Sequence, residues 1–138
     1  MGRGFAVIRD QYAGNWGQGR RTVMGFQDVL AWQKSMDLVE LIYRETANLP
    51  ETERFGLQSQ MRRSAVSIPS NIAEGFGRGG TVEYARFIDI ALGSLRELQT
   101  QIEIAKRLGL ISSAGLFDLS DDTARLLYTL RKGVRAKL

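Results

Sequence analysis

The sequence predicts an all-α fold: an up-down-up-down, left-handed antiparallel four-helix bundle whose second helix is kinked at Pro69. Three observations predict it. Apolar residues recur at alternating spacings of three and four over four long segments, which gathers them on one face of a helix. The chain has only two prolines and few period-two alternations. The connections between the segments are short, so successive helices become antiparallel neighbours, and a sustained repeat of about 3.5 residues favours left-handed packing at small crossing angles.

The first helix is expected from about Gln27 to Asn48, with Val29, Trp32, Met36, Val39 and Tyr43 as its apolar stripe. Pro50 ends it, because the residue before a proline is pushed out of the α region. The second is expected from Glu51 to Phe76, with Phe55, Leu57, Met61, Ala65, Ile68 and Ile72 inward. The third has the clearest pattern, from Thr81 to about Leu108: Tyr84, Ile88, Ala91, Leu95, Leu98, Ile102 and Ala105 keep the alternation throughout. Thr81 is the expected N-cap, Glu83 suits the positive helix start and Gly109 suits the position just past the end. The fourth is expected to begin near Ser112 or Ser113 and carries Leu116, Leu119, Leu126, Leu127, Leu130 and Val134.

The chain has 138 residues, enough for one domain. Residues 1–25 hold six of its fifteen glycines and little apolar periodicity. They read as a flexible Gly/Arg-rich arm, followed by a bundle domain over 26–138. Met24, just ahead of the first periodic segment, is a candidate alternative translation start. The formal net charge is +4, unevenly spread. The arm carries Arg3, Arg9, Arg20 and Arg21 against Asp10, and residues 125–138 carry Arg125, Arg131, Lys132, Arg135 and Lys137 with no acid. The segment between them is net acidic.

The chain contains neither cysteine nor histidine. A disulfide framework, a Cys/His zinc site, a Ser-His-Asp or Cys-His triad and the Glu-x-x-His di-iron site are all excluded. No ligand cluster is evident among the carboxylates, so no metal, no cofactor and no enzymatic activity are expected. No stretch approaches the roughly 20 apolar residues that span a bilayer, and a cytoplasmic location without membrane contact is expected.

The candidate chemistry lies around Pro69, which removes a backbone donor and clashes with the Ala65 carbonyl. Ser67, Ser70 and Asn71 can satisfy the loosened backbone groups, and Glu74 can pair with Arg78 one turn on. Pro69, Ser70, Asn71 and Glu74 therefore read as structural, while Arg62, Arg63 and Arg78 could face phosphate or another subunit. Gly75, Gly77, Gly79 and Gly80 do not make a phosphate loop, because no strand precedes them and no Gly-Lys-Ser/Thr follows. A second apolar line, with Ile90, Gly93, Ile104 and Leu108 on the third helix and Leu30 and Leu41 on the first, points away from the main stripes. It is the candidate self-association face.

The run Ser67-Ile68-Pro69-Ser70-Asn71-Ile72-Ala73-Glu74-Gly75, with the stretches 26–34, 55–65 and 91–101, resembles the bacterial four helix bundle protein family. That family includes the proteins encoded by intervening sequences in 23S ribosomal RNA genes. The resemblance implies a homopentamer, relatedness to accessory proteins that bind nucleic acid and a reverse transcriptase, and no catalytic residues. Because the body is net acidic, RNA or DNA binding is expected at Arg131, Lys132, Arg135 and Lys137, with the arm and Arg62, Arg63 and Arg78 contributing. The rival expectation is an interaction scaffold whose bundle or pore receives a partner chain.

Overall fold

The structure is a computed structural model that describes residues 25–112 and 114–138. The arm and the Met24 start lie outside the described residues, as does Ser113. The described chain forms four helices: α1 (Leu30–Thr46), α2 (Leu57–Gly77), α3 (Thr81–Arg107) and α4 (Ala114–Arg135). Two 3-10 turns, Phe26–Asp28 and Glu51–Glu53, precede α1 and α2. Helix α2 packs between α1 and α3, and α4 closes the bundle against α3 and α1. No strand occurs among the described residues.

Helix α3 follows its predicted stripe, and all seven of the residues named for it are buried. Its start is shifted by one residue: Gly80 is the N-cap and Thr81 is the first helical residue. Its end is the expected one. Gly109 has φ +71, its N–H bonds the Lys106 carbonyl at 3.0 Å, and the Leu110 N–H bonds the Ala105 carbonyl at 2.9 Å. This pair of bonds is a Schellman motif, and the left-handed residue in it favours glycine.

Helix α1 corrects the sequence reading. Its buried line is Ala31, Ser35, Leu38, Ile42 and Thr46. Of the predicted stripe only Val29 is buried; Trp32 and Val39 are half-buried, and Met36 and Tyr43 are exposed. The two stripes differ by one residue, or about 100° of helix rotation. Bulky side chains pulled the expectation toward the wrong line. The helix instead turns its smaller residues inward, where neighbouring helices must approach closely, and leaves the larger ones on the flank. Leu30 and Leu41 are corrected for the same reason. They do not point away from the bundle but are half-buried and pack against its core.

The small polar residues of this inward layer do not leave unsatisfied groups. Ser35 donates to the Trp32 carbonyl at 2.8 Å, Thr46 to Ile42 at 2.6 Å, Ser120 to Phe117 at 2.6 Å and Thr123 to Leu119 at 2.8 Å. Each hydroxyl is absorbed by its own helix, so burial does not strand a donor. Around them Leu38, Ile42, Met61, Ile68, Ile72, Ile88, Leu95, Leu98, Leu127 and Leu130 are fully buried, at about 1.5–3 kcal/mol for each large side chain.

Helix α2 begins later than predicted. Residues 51–56 are turns, and Glu53 Oε1 accepts the Leu57 N–H at 3.1 Å, capping the first turn. Phe55 is therefore not a core residue; it lies in the turn and is 86% exposed. The helix runs through the buried Pro69. Ser70 Oγ donates to the Val66 carbonyl at 2.7 Å and Asn71 Nδ2 to the Ser67 carbonyl at 2.8 Å, adding bonds in the turn the proline weakens. Asn71 also reaches Ser67 Oγ at 2.9 Å, and that hydroxyl lies 2.8 Å from Ser94 Oγ on α3. The polar run around Pro69 thus ties α2 to α3.

Helices α2 and α3 approach closely at Gly75. A Cβ there would sit 2.5 Å from Phe87 Cβ and 3.2 Å from Tyr84 Cδ1. Phe87 Cβ is fixed to its backbone and cannot rotate away. Gly75→Ala is expected to destabilise the protein by about 1–3 kcal/mol through overpacking, despite alanine's better helix propensity. Urea unfolding followed by circular dichroism checks this.

Candidate nucleic-acid interface

An even number of antiparallel helices returns the chain to the end where it started. Gly25 and the C-terminus of α4 therefore lie at the same end of the bundle, together with the α2–α3 connection. Of the predicted basic residues, this terminal end gathers Arg78, Arg131, Lys132, Arg135 and Lys137. Arg62 and Arg63, near the start of α2, lie toward the opposite end. Gly25, the first described residue, is at the terminal end; the basic arm that precedes it lies outside the described residues.

The cations at the terminal end differ in how far they are committed. Arg131 Nε donates to Asp89 Oδ1 at 2.7 Å, and Arg135 donates to Asp89 Oδ2. One carboxylate from α3 thus holds two guanidinium groups from α4, a pairing the linear charge count could not register. Arg78 caps the end of α2, pairs with Glu74 at 2.9 Å as the sequence predicts, and stands 5.2 Å from the Phe87 ring centroid. Arg86 lies over the same ring at 4.7 Å and bonds Glu83 at 2.8 Å. That hydrogen bond, aided by the charges of Arg86 and Arg78, holds the Glu83 carboxyl below its ordinary value. Lys132 and Lys137 are exposed and have no ion pair among the described residues.

Toward the other end, Arg62 is a structural residue. Its Nε donates to Thr46 Oγ1 at 3.0 Å and its Nη2 to the Tyr43 carbonyl at 3.2 Å, while its guanidinium stacks 4.4 Å from the Tyr43 ring centroid. Gln58 Nε2 adds a bond to the Thr46 carbonyl at 2.8 Å. Side chains of α2 therefore satisfy the C-terminal groups of α1, where a cation also complements the helix dipole. Its neighbour Arg63 is exposed and makes no such bond. Between them opens a groove of about 590 Å³, whose lining includes Tyr43, Arg54, Phe55, Arg62, Arg63 and Ser67. Tyr43, Arg54 and Phe55 were missed as site residues because helical periodicity assigned both aromatics to the core. The cue available was Pro50 followed by Gly56, which marks residues 51–56 as a turn.

On the outer surface of α3, Ile90, Ile104 and Leu108 are exposed at 40%, 43% and 63%. A Cβ on Gly93 would meet nothing within 4 Å. This line is open, as the sequence predicts. Among the described residues no group of acidic side chains could hold a metal ion, and no helix is long and apolar enough to cross a membrane.

The surroundings of two adjacent arginines separate their roles. Arg62→Ala removes two charge-assisted hydrogen bonds and a ring contact and is expected to cost about 1–3 kcal/mol of stability. Arg63→Ala is expected to stay within about 0.5 kcal/mol of the parent. Paired urea denaturation curves check the difference.

A model of the 23S rRNA-intervening sequence protein family matches residues 27–132, nearly all of the bundle. No curated protein matches the chain.

Proposed function

Since the chain belongs to the 23S rRNA-intervening sequence protein family, we propose that it is a non-catalytic bundle that self-associates and grips nucleic acid by its phosphates at the terminal end. The observation that supports this reading is the gathering of Arg78, Arg86, Arg131, Lys132, Arg135 and Lys137 at one end of the bundle. Residues remote in sequence contribute to one electrostatic field: Lys132 on α4 and Lys137 just beyond it carry charge unpaired among the described residues, and Arg78, Arg86 and Arg135 add guanidinium groups paired with Glu74, Glu83 and Asp89. The arm, with Arg3, Arg9, Arg20 and Arg21, lies outside the described residues and precedes Gly25 in the sequence. Phosphate binding by such a field is sequence-independent and salt-sensitive, because each phosphate neutralised releases counterions.

Self-association strengthens the same field. The exposed line of Ile90, Ile104 and Leu108, with the open backbone at Gly93, suits burial against a second copy. Copies related by closed symmetry would bring several terminal ends together, and the family resemblance implies five. Ile90→Glu/Ile104→Glu is expected to lower the assembled mass in light scattering while helical circular dichroism is retained. An unchanged mass would remove this face from the interface.

Asp89 allows the binding to be tested in both directions. The triple variant Arg78→Ala/Lys132→Ala/Lys137→Ala is expected to weaken binding to RNA, DNA and heparin. It should also flatten the salt dependence by about one unit of slope for each phosphate that is no longer neutralised. Asp89→Asn removes a negative charge and frees Arg131 and Arg135, so it is expected to tighten binding and steepen that slope. A salt titration by fluorescence anisotropy reads both. No binding even at low salt would refute nucleic-acid recognition.

A further inference from the structure

The groove at the other end has a chemistry of its own. Phe55 is the most exposed large apolar side chain among the described residues, at 86%. A lone exposed aromatic would mean little. This one has the Arg54 guanidinium 5.3 Å from its ring centroid and lines a groove with Arg62 and Arg63 in which no carboxylate takes part. Glu51 pairs with one lining residue, Arg54, but openly, at 3.6 Å and with both side chains strongly exposed. Tyr43, on the same groove, is stacked by Arg62, which is itself anchored by its two bonds to α1. The groove thus combines an exposed ring that has the Arg54 guanidinium on one face, a second ring stacked by the anchored Arg62, and the uncommitted guanidinium of Arg63.

We propose that this groove is a second nucleic-acid site, selective for single strands, in which an unpaired base stacks on Phe55 and the adjoining phosphate is held by Arg63. Arg62, two of whose five N–H groups are already used, presents a positioned charge beside it. The groove, about 590 Å³, is open to solvent, so a base can reach the ring from the side without being enclosed. A duplex cannot use the ring, since its bases are already stacked inside the helix. An unpaired base can stack without regard to its identity. Charge complementarity favours a polyanion over an apolar peptide, and the flat exposed ring distinguishes a nucleic acid from a simple acidic chain. The site stands independently of the terminal end, which binds phosphate whether or not the bases are paired.

The test uses the full chain and fluorescent probes of about 20 nucleotides, longer than the roughly 4–16 that one single-strand-binding module covers, at low salt: an unstructured single strand and a blunt duplex. Phe55→Ala is expected to weaken single-strand binding about tenfold or more, with duplex affinity unchanged, and Phe55→Trp is expected to retain it. Arg63→Ala is expected to lower single-strand affinity and reduce its salt slope by about one. Single-strand binding by Phe55→Ala equal to the parent overturns the proposal, as does an equal loss for both probes. A change in assembled mass for Phe55→Ala also overturns it, because the ring would then belong to a contact between copies. Polyglutamate binding that depends on Phe55 as strongly as the single strand does would assign the groove to an acidic protein segment instead. The terminal-end triple variant, which weakens both probes, distinguishes failure here from failure of the phosphate-binding reading.

Discussion

Close approach of the helices is set by small side chains at the bundle's centre, and the rest of the structure depends on that spacing. Gly75 lets α2 come within contact of Phe87 on α3. Ala31, Ser35 and Thr46 do the same for α1, and Ala91, Ala105, Ser120, Thr123 and Ala124 for α3 and α4. Interiors pack to near-crystalline density, so small residues on one helix are matched by Leu, Ile and Met on the next. The hydroxyls among them bond their own helical carbonyls, which lets the layer stay small without costing unpaired polar groups. The rings of Tyr43 on α1 and of Phe55 in the turn before α2 lie outward and line the groove.

The same packing decides what the charges do. Antiparallel α3 and α4 bring Asp89 opposite Arg131 and Arg135, so the most basic segment of the sequence meets a carboxylate more than forty positions away. Arg62 is drawn into the end of α1, whereas Arg63, one residue on, faces outward. Exposed pairs within one helix, such as Arg107 with Glu103, change little in stability. For the proposed phosphate binding, what matters is which cations remain uncommitted and at which end they sit.

Much of this was legible in the sequence where one strong periodicity had no competitor. Helix α3 has one strong inward stripe, so the seven residues named for it, its approximate length and the role of Gly109 at its end were readable, although Ala85, Phe87, Leu92, Gln99 and Gln101 are buried beside that stripe as well. Pro69 with its polar neighbours and the Glu74–Arg78 pair were readable too, because those interactions span only one turn. Helix α1 was misread because two apolar lines lie one residue apart, and hydrophobic size favoured the wrong one. Phe55 was misread because helical periodicity was extended backward through a turn that Gly56 and the Glu53 cap interrupt.

By itself, then, the sequence determined the four-helix architecture, the absence of imidazole and thiol chemistry, and the excess of positive charge at both chain ends. These follow from local periodicity and composition, which need no knowledge of what faces what. Only the tertiary structure decided which line of α1 is buried, which arginines are held and which are free, and that Phe55 and Tyr43 share a groove with Arg62 and Arg63. Those outcomes depend on the distances between helices, and packing fixes them through side chains far apart in the chain.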